Sequence, residues 1–94
     1  MYILRIEHPV PDFDAWKQAF DSDPLGREQS GVRLYRVLRP IDDPNYVTID
    51  LEFDSSSKAE ALRAGLSELW GRVQGKIIES PRARTLETVE SKEY

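Results

Sequence analysis

His8 is the single histidine of the chain and the residue best suited to move a proton. Imidazole titrates near neutral pH, so a neutral His8 could accept a proton from a phenolic substrate. We expect it at the end of a first strand, on the same face as Leu4 and Ile6 and near Trp16. The competing interpretation is a partly buried histidine that hydrogen-bonds the backbone near Pro9 and has no catalytic role.

Large aromatic side chains recur at spacings that could form the wall of a ligand cavity. Small-molecule pockets are mostly apolar and contain few polar groups. The candidate substrate-binding residues of this kind are Trp16, Phe20, Phe53 and Trp70, with Phe13 and Leu66 beside them. The same side chains could simply fill the core, because aromatic residues at helical spacing usually serve packing.

Arg36 is the candidate polar contact for a ligand. It alternates with Val32, Leu34 and Leu38 on a predicted second strand, where a guanidinium group is costly unless it is paired or reaches water. It could bind a ligand oxygen or carboxylate. Alternatively, its stem lies along an edge strand and its charged head reaches solvent.

The sequence lacks the residues and motifs that several classes of chemistry require. The absence of cysteine removes disulfides, thiolate nucleophiles and zinc–sulfur sites. The sequence also has no glycine-rich phosphate loop, no paired-histidine metal motif and no Gly-x-Ser-x-Gly elbow. Asp42, Asp43 and Asn45 surround Pro44 in a pattern typical of a turn and not of a cation site. We therefore predict no metal site and no cofactor.

Length and charge limit the partners. The 94 residues predict one domain spanning 1–94. The 17 acidic and 13 basic residues are mixed along the chain and give a net charge of -4, which argues against nucleic acid and anionic membranes as partners. No secretion signal and no apolar run of about 20 residues is present. We therefore predict a soluble cytoplasmic protein.

Hydrophobic periodicity predicts the order strand, helix, strand, strand, helix, strand. The predicted strands are 2–8, 32–39, 46–54 and 83–89. The first helix follows an Asp12 cap, with a further turn from Pro24 toward Ser30. The second begins at a Ser57–Glu60 capping box and runs to about Val73, with Gly71 and Gly75 at its end and a linker through Pro81.

This order predicts an α+β, ferredoxin-like βαββαβ fold, in which two helices cover one face of a four-stranded antiparallel sheet. The other face would carry Ile3, Arg5, Glu7, Tyr46, Thr48, Asp50 and Glu52. It is either an ordinary solvated surface or the contact between two copies across a two-fold axis, with Arg5 offsetting Asp50 and Glu52. A homodimer is favoured, since a domain this short buries a small share of its surface alone.

Three segments of the chain resemble the dimeric α+β barrel superfamily, and in particular its antibiotic-biosynthesis-monooxygenase-like (ABM-like) members. They are HPVPDFDAWK at 8–17, DDPN at 42–45 and LEF at 51–53. The resemblance implies a homodimer with back-to-back sheets and a pocket between helices and sheet in each subunit. Relatives include cofactor-independent oxygenases of aromatic polyketides, haem-degrading enzymes and many proteins without an assigned activity. The haem-degrading relatives rely on a histidine on the second helix, where this sequence has none.

Two functions follow from these observations. The first is a cofactor-independent monooxygenase or cyclase that orients an aromatic, polyketide-like substrate while His8 removes a proton. The second is a non-catalytic dimeric module that binds a small ligand or another protein and needs no polar constellation. The sequence leaves open whether the protein is an enzyme.

Overall fold

A computed structural model of the protein describes residues 1–73 and 80–94. Its elements in chain order are β1 (Tyr2–Pro9), α1 (Phe13–Asp21), β2 (Val32–Leu38), β3 (Tyr46–Phe53), α2 (Ser56–Val73) and β4 (Arg82–Glu87). The four strands form one antiparallel sheet in the order β2-β3-β1-β4. The predicted α+β, ferredoxin-like βαββαβ fold is confirmed, because β1 and β3 are neighbours at the centre of the sheet.

α1 begins where the sequence predicts, directly after Asp12. The Asp12 side chain accepts hydrogen bonds from the backbone N–H groups of Asp14 and Ala15 at 3.0 and 3.5 Å. These groups lack partners inside the helix, so the cap stabilises its first turn. The helix then presents Trp16 to the sheet, where the indole is buried.

α2 begins earlier than predicted. The expected capping box of Ser57 and Glu60 is wrong, because the Oγ atom of Ser55 accepts the backbone N–H of Lys58 at 3.4 Å and Glu60 pairs with Arg63 instead. Three consecutive serines can all cap a helix, and the pattern of apolar residues does not choose between them.

The end of α2 and the last strand agree with the prediction only in part. α2 extends to Val73 as predicted, although Gly71 lies within the helix and does not end it. Gly75 and most of the linker to Pro81 lie outside the described residues. β4 covers Arg82–Glu87 instead of the predicted 83–89. No helix in the described part of the chain is long and apolar enough to cross a membrane.

The connection between α1 and β2 consists of turns and not of the predicted further helical turn. Asp23 and Gly26 have positive φ angles of 52° and 63°, which break a regular helix. Hydrogen bonds from the N–H of Gly26 to the Asp23 carbonyl and from the N–H of Ser30 to the Gly26 carbonyl hold the turns together. The segment packs on α2, since a Cβ atom added at Gly65 would lie 3.3 Å from Leu25.

β2 contains an irregularity that reverses the predicted faces. Its pairing with β3 shifts register between Val32 and Leu34. An extra residue in one strand moves every later side chain to the opposite face. The predicted grouping of Val32 with Leu34 and Arg36 on one face is therefore wrong: Tyr35, opposite Leu51, now shares the helix-facing side with Val32.

The core lies between the helices and the sheet. Alternate residues of β1 and β3 enter it, as their period of two requires. The buried apolar residues are Leu4, Ile6, Val10, Trp16, Val47, Ile49, Leu51, Phe53, Ala59 and Leu62. This side of the sheet is covered by α1 and α2.

The outer side of the sheet carries charged and apolar side chains in cross-strand rows. The middle row reads Arg36, Asp50, Arg5 and Arg84, and the row beside it reads Leu34, Glu52, Ile3 and Leu86. Arg5 donates to both oxygens of Asp50, at 2.8 and 2.9 Å, and Arg36 donates to Glu52 at 3.0 Å. Asp50 is only 5% exposed although it lies on the outer side.

Candidate functional site

A cavity of about 320 Å³ lies between α1, α2, the α1–β2 connection and the sheet. Apolar side chains of β1, β3, α1 and α2 form most of its wall. The ionisable and aromatic residues described around it are His8, Trp16, Phe20, Asp23, Arg27 and Trp70. Its size and composition are typical of a site for a small apolar ligand.

His8 is positioned at this cavity by the end of β1. It pairs with Val47 in the sheet register and is 2% exposed. Its Nδ1 atom lies 3.0 Å from the carbonyl oxygen of Pro9. A carbonyl can only accept, so Nδ1 carries the proton and Nε2 of the neutral ring is left as the basic nitrogen.

The environment keeps this imidazole neutral. Burial lowers the pKa of His8 from its ordinary value of 6.5, and the hydrogen bond to the Pro9 carbonyl opposes that shift without reversing it. Because its pKa lies below the ordinary value of 6.5, the ring is mostly neutral at neutral pH and can accept a proton there. The geometry therefore gives the cavity one group able to act as a general base.

Trp16 and Phe20 form an aromatic wall beside His8. The ring of Trp16 meets the imidazole edge-on with 6.0 Å between centroids, and it stacks on Phe20 at 5.1 Å with 30° between the planes. The i, i+4 spacing on α1 brings the two rings onto one face of that helix. Trp70 of α2 also lines the cavity and is half-buried. The structure thus brings four of the candidate residues together.

The two other candidates do not reach the cavity. Phe53 is completely buried in the core and is not part of the cavity wall. Arg36 lies on the outer side of the sheet, opposite Asp50 and paired with Glu52. The register shift in β2 explains this placement. The prediction that Arg36 contacts a ligand in the cavity is therefore wrong, because the residue lies on the outer face.

Arg27 is a cavity residue that the sequence analysis missed. Its guanidinium carbon lies 3.9 Å from the ring centroid of Phe20 and 4.9 Å from that of Tyr35. Its Nη1 atom donates to the Phe20 carbonyl at 2.7 Å. The only sequence signal for this position is Asp23, which lies four residues before Arg27 at the spacing of a helical ion pair. The distance between Nη1 of Arg27 and Oδ1 of Asp23 is 3.6 Å.

Within residues 1–73 and 80–94, no cluster of three or more histidine, cysteine, aspartate or glutamate side chains could hold a metal ion.

The chain has a ferredoxin-like α+β fold that is similar to the fold of solved antibiotic-biosynthesis-monooxygenase proteins. One similar solved structure is a candidate antibiotic biosynthesis monooxygenase from Nitrosomonas europaea, with a TM-score of 0.69, 19% identity, and coverage of 96% of this chain and 100% of the other. Another is SnoaB, a cofactor-independent oxygenase from Streptomyces nogalater, with a TM-score of 0.73, 11% identity, and coverage of 96% and 94%.

A dimeric ferredoxin-like protein from an uncultured marine organism is also similar, with a TM-score of 0.65, 8% identity and full coverage of both chains. At these identities the likeness is one of fold. No protein-family model matches the sequence, and no curated protein matches it significantly.

Proposed function

We propose that the protein binds a small aromatic molecule in this cavity and that His8 acts as the general base of a cofactor-independent oxygenation or cyclisation. The observation that carries the proposal is a buried imidazole at an aromatic-walled cavity, with Nδ1 hydrogen-bonded to the Pro9 carbonyl and Nε2 as its basic nitrogen. The substrate is a polyketide-like ring system with an acidic C–H or O–H group.

The oxygenase form of the reaction needs only a proton acceptor and molecular oxygen. Nε2 of His8 takes a proton from an activated ring CH₂ group, and the resulting carbanion supplies the electrons that reduce O₂. The carbon becomes a carbonyl by gaining one oxygen atom, and the other oxygen leaves as water with the two hydrogens of the CH₂ group. The aromatic wall holds the ring system flat and keeps water away from the anion.

The fold likeness supports this reaction class. SnoaB is named as a cofactor-independent oxygenase, and it covers nearly the whole of this chain. The only histidine of the present sequence lies on β1, so α2 does not supply the histidine on which haem-degrading relatives rely.

The experiment separates binding from turnover by using a hydroxyanthrone as the probe. Tryptophan fluorescence would report binding, because Trp16 and Trp70 line the cavity. Oxygen consumption would report turnover. We expect His8→Gln to bind the probe but to lose most oxygen uptake, whereas Arg63→Gln, an exposed change on α2, keeps both. Unchanged oxygen uptake in the His8 variant would exclude the catalytic role.

A non-catalytic ligand-binding module is the second candidate. It is favoured by the small number of ionisable side chains that residues 1–73 and 80–94 place around the cavity, which are His8, Asp23 and Arg27. Binding of the probe by the wild-type protein without oxygen uptake or chemical change would support this function over catalysis.

We also propose that two copies pair through the outer sheet faces and that the protein works as a homodimer in the cytoplasm. The outer side presents Leu34 and Leu38, which are 43% and 44% exposed, among charges of both signs. A similar solved structure is described as dimeric. The lack of cysteine suits a reducing compartment.

Sedimentation would test the pairing. We expect the wild-type chain to sediment as a dimer and Leu38→Glu to sediment as a monomer. Ile41→Glu places the same charge on a fully exposed turn residue and should leave the dimer intact. A monomeric wild-type protein at high concentration would refute the proposed assembly.

A further inference from the structure

Arg27 lies at a boundary between two different environments. It lines the apolar cavity beside Phe20, and it also lines an open polar groove of about 720 Å³ that contains Arg33, Glu28 and Lys58. A ligand whose aromatic body fills the cavity would therefore place a polar end at Arg27. The residue has no place in the reaction steps assigned to His8.

The guanidinium group is held in place before any ligand arrives. It stacks over Phe20 at 3.9 Å and near Tyr35 at 4.9 Å, and its Nη1 atom is fixed by the Phe20 carbonyl. Stacking uses the face of the guanidinium plane and leaves the N–H groups at its edge free to donate. Such a group loses little conformational entropy when it binds an anion.

The nearby carboxylate does not use these donors. Asp23 accepts the backbone N–H of Arg27 at 2.9 Å, and its distance of 3.6 Å from Nη1 is too long for a hydrogen bond. In the described part of the chain, Nε and Nη2 of Arg27 donate to no acceptor. The side chain is 18% exposed and neither donor atom is fully buried, so an oxygen atom of a ligand can reach them.

We propose that Arg27 is the anion-recognition residue of the cavity and that its ligand is an aromatic molecule with one ionised oxygen group, a carboxylate or a phenolate. The proposal rests on the proposed function of the cavity as a small-molecule site and adds the charge of the ligand. Hydrogen bonds between a guanidinium and an anionic oxygen are stronger than neutral ones, so the site should rank anionic above neutral and neutral above cationic aromatic ligands.

The test compares three probes that share one ring system: naphthoate, naphthamide and naphthylmethylammonium. Binding is followed by calorimetry and by quenching of tryptophan fluorescence. We expect the wild-type protein to bind naphthoate about tenfold more tightly than naphthamide and to bind the ammonium compound least. Hydroxynaphthalene, titrated above and below its own pKa, would show whether a phenolate is recognised as well as a carboxylate.

Arg27→Gln should remove the preference for naphthoate while leaving naphthamide affinity nearly unchanged. Arg63→Gln removes an exposed arginine from α2 and should preserve the preference. If Arg27 only holds its loop in place, the variant would weaken both probes equally, and this result would overturn the proposal. The ratio of naphthoate affinity to naphthamide affinity is measured on the wild-type protein. The proposal can therefore be refuted even if the Arg27 variant does not fold.

The two proposals fail in different ways. Equal binding of naphthoate and naphthamide by the wild-type protein would refute anion recognition and leave the cavity as a ligand site. If no aromatic probe, including the hydroxyanthrone, bound the wild-type protein, the proposed function would fail together with the role of Arg27.

Discussion

The two faces of the sheet use alternate residues of the same strands and have opposite chemistry. On the helix-facing side, Leu4, Val47 and Phe53 are completely buried, and among the described residues His8 is the only buried ionisable one there. On the outer side, an arginine or a carboxylate stands at every position of the middle row. A period of two therefore separates an apolar core from a charged surface within a single strand.

The contrast shows that burial alone does not decide which residues a protein can place in a sheet. His8 and Asp50 are almost equally buried, at 2% and 5% exposure. Burial lowers the pKa of His8 and so favours the neutral ring, whereas the Asp50 side chain accepts hydrogen bonds from Nε and Nη2 of Arg5. The helix-facing side can thus hold a base, and the outer side can hold a fixed ion pair.

The largest expected effect comes from truncating the apolar face. Phe53→Ala should lower the free energy of unfolding by about 3–5 kcal/mol, because it empties a fully buried site. Leu34→Ala on the outer side of β2 is the control and should cost less than about 1 kcal/mol in dilute protein, where its side chain stays half in solvent. Urea unfolding of both variants would measure the difference, and equal losses would contradict the described division of the faces.

A smaller loss is expected from breaking the ion pair of the outer face. Asp50→Ala leaves Arg5 and Arg36 without the carboxylate between them and should cost about 2 kcal/mol. The loss stays below that of a fully buried pair, since the Arg5 side chain is 41% exposed and water replaces part of the interaction. A double-mutant cycle with Arg5→Gln would isolate the coupling, and additive single effects would show that the pair contributes nothing.

Protonation of His8 should produce a pH-dependent effect on the helix-facing side. The pKa in the folded protein lies below the unfolded value of about 6.5, so the unfolded chain binds the proton more tightly. Stability should therefore be complete above pH 6.5 and should fall as the pH drops from 6.5 through the lower folded pKa. If His8 is the base, the acid limb of kcat/KM should also lie below pH 6.5.

His8→Gln is the control for this behaviour. Urea midpoints measured at several pH values should show a weaker acid-side decline in the variant than in the wild-type protein. Identical declines would mean that other groups, such as the carboxylates, cause the whole of the effect.

The sequence predicted what depends on local pattern. The Asp12 cap, the order of elements and the apolar alternation of β1 and β3 follow from residue type and period alone. The cap of α2 was misplaced because Ser55, Ser56 and Ser57 are chemically equivalent at a helix start. Local preference identifies the kind of residue at such a boundary but not its exact position.

The positions that were missed depend on non-local geometry. Nothing in Val32-Arg33-Leu34 marks the register shift of β2, and without that shift Arg36 would face the helices. Arg27 belongs to a connection whose path is set by left-handed residues and by packing on α2, neither of which has a sequence period. Phe53 has the predicted burial, but its depth in the core, away from the cavity, could only be seen in three dimensions.

The smallest effects are expected from two exposed ion pairs on the same strand region, and they sharpen the comparison of the faces most. Arg33 donates to Asp54 at 2.9 Å, and Arg36 donates to Glu52 at 3.0 Å. In dilute protein, where both pairs meet water, Arg33→Gln and Arg36→Gln should each cost less than about 1 kcal/mol. Only Arg36 lies on the face proposed to meet a second copy. The stability lost in Arg36→Gln should therefore grow with protein concentration, while the stability lost in Arg33→Gln stays constant. Thermal unfolding over a hundredfold range of concentration would measure this, and parallel curves for the two variants would argue that the outer face stays open to solvent.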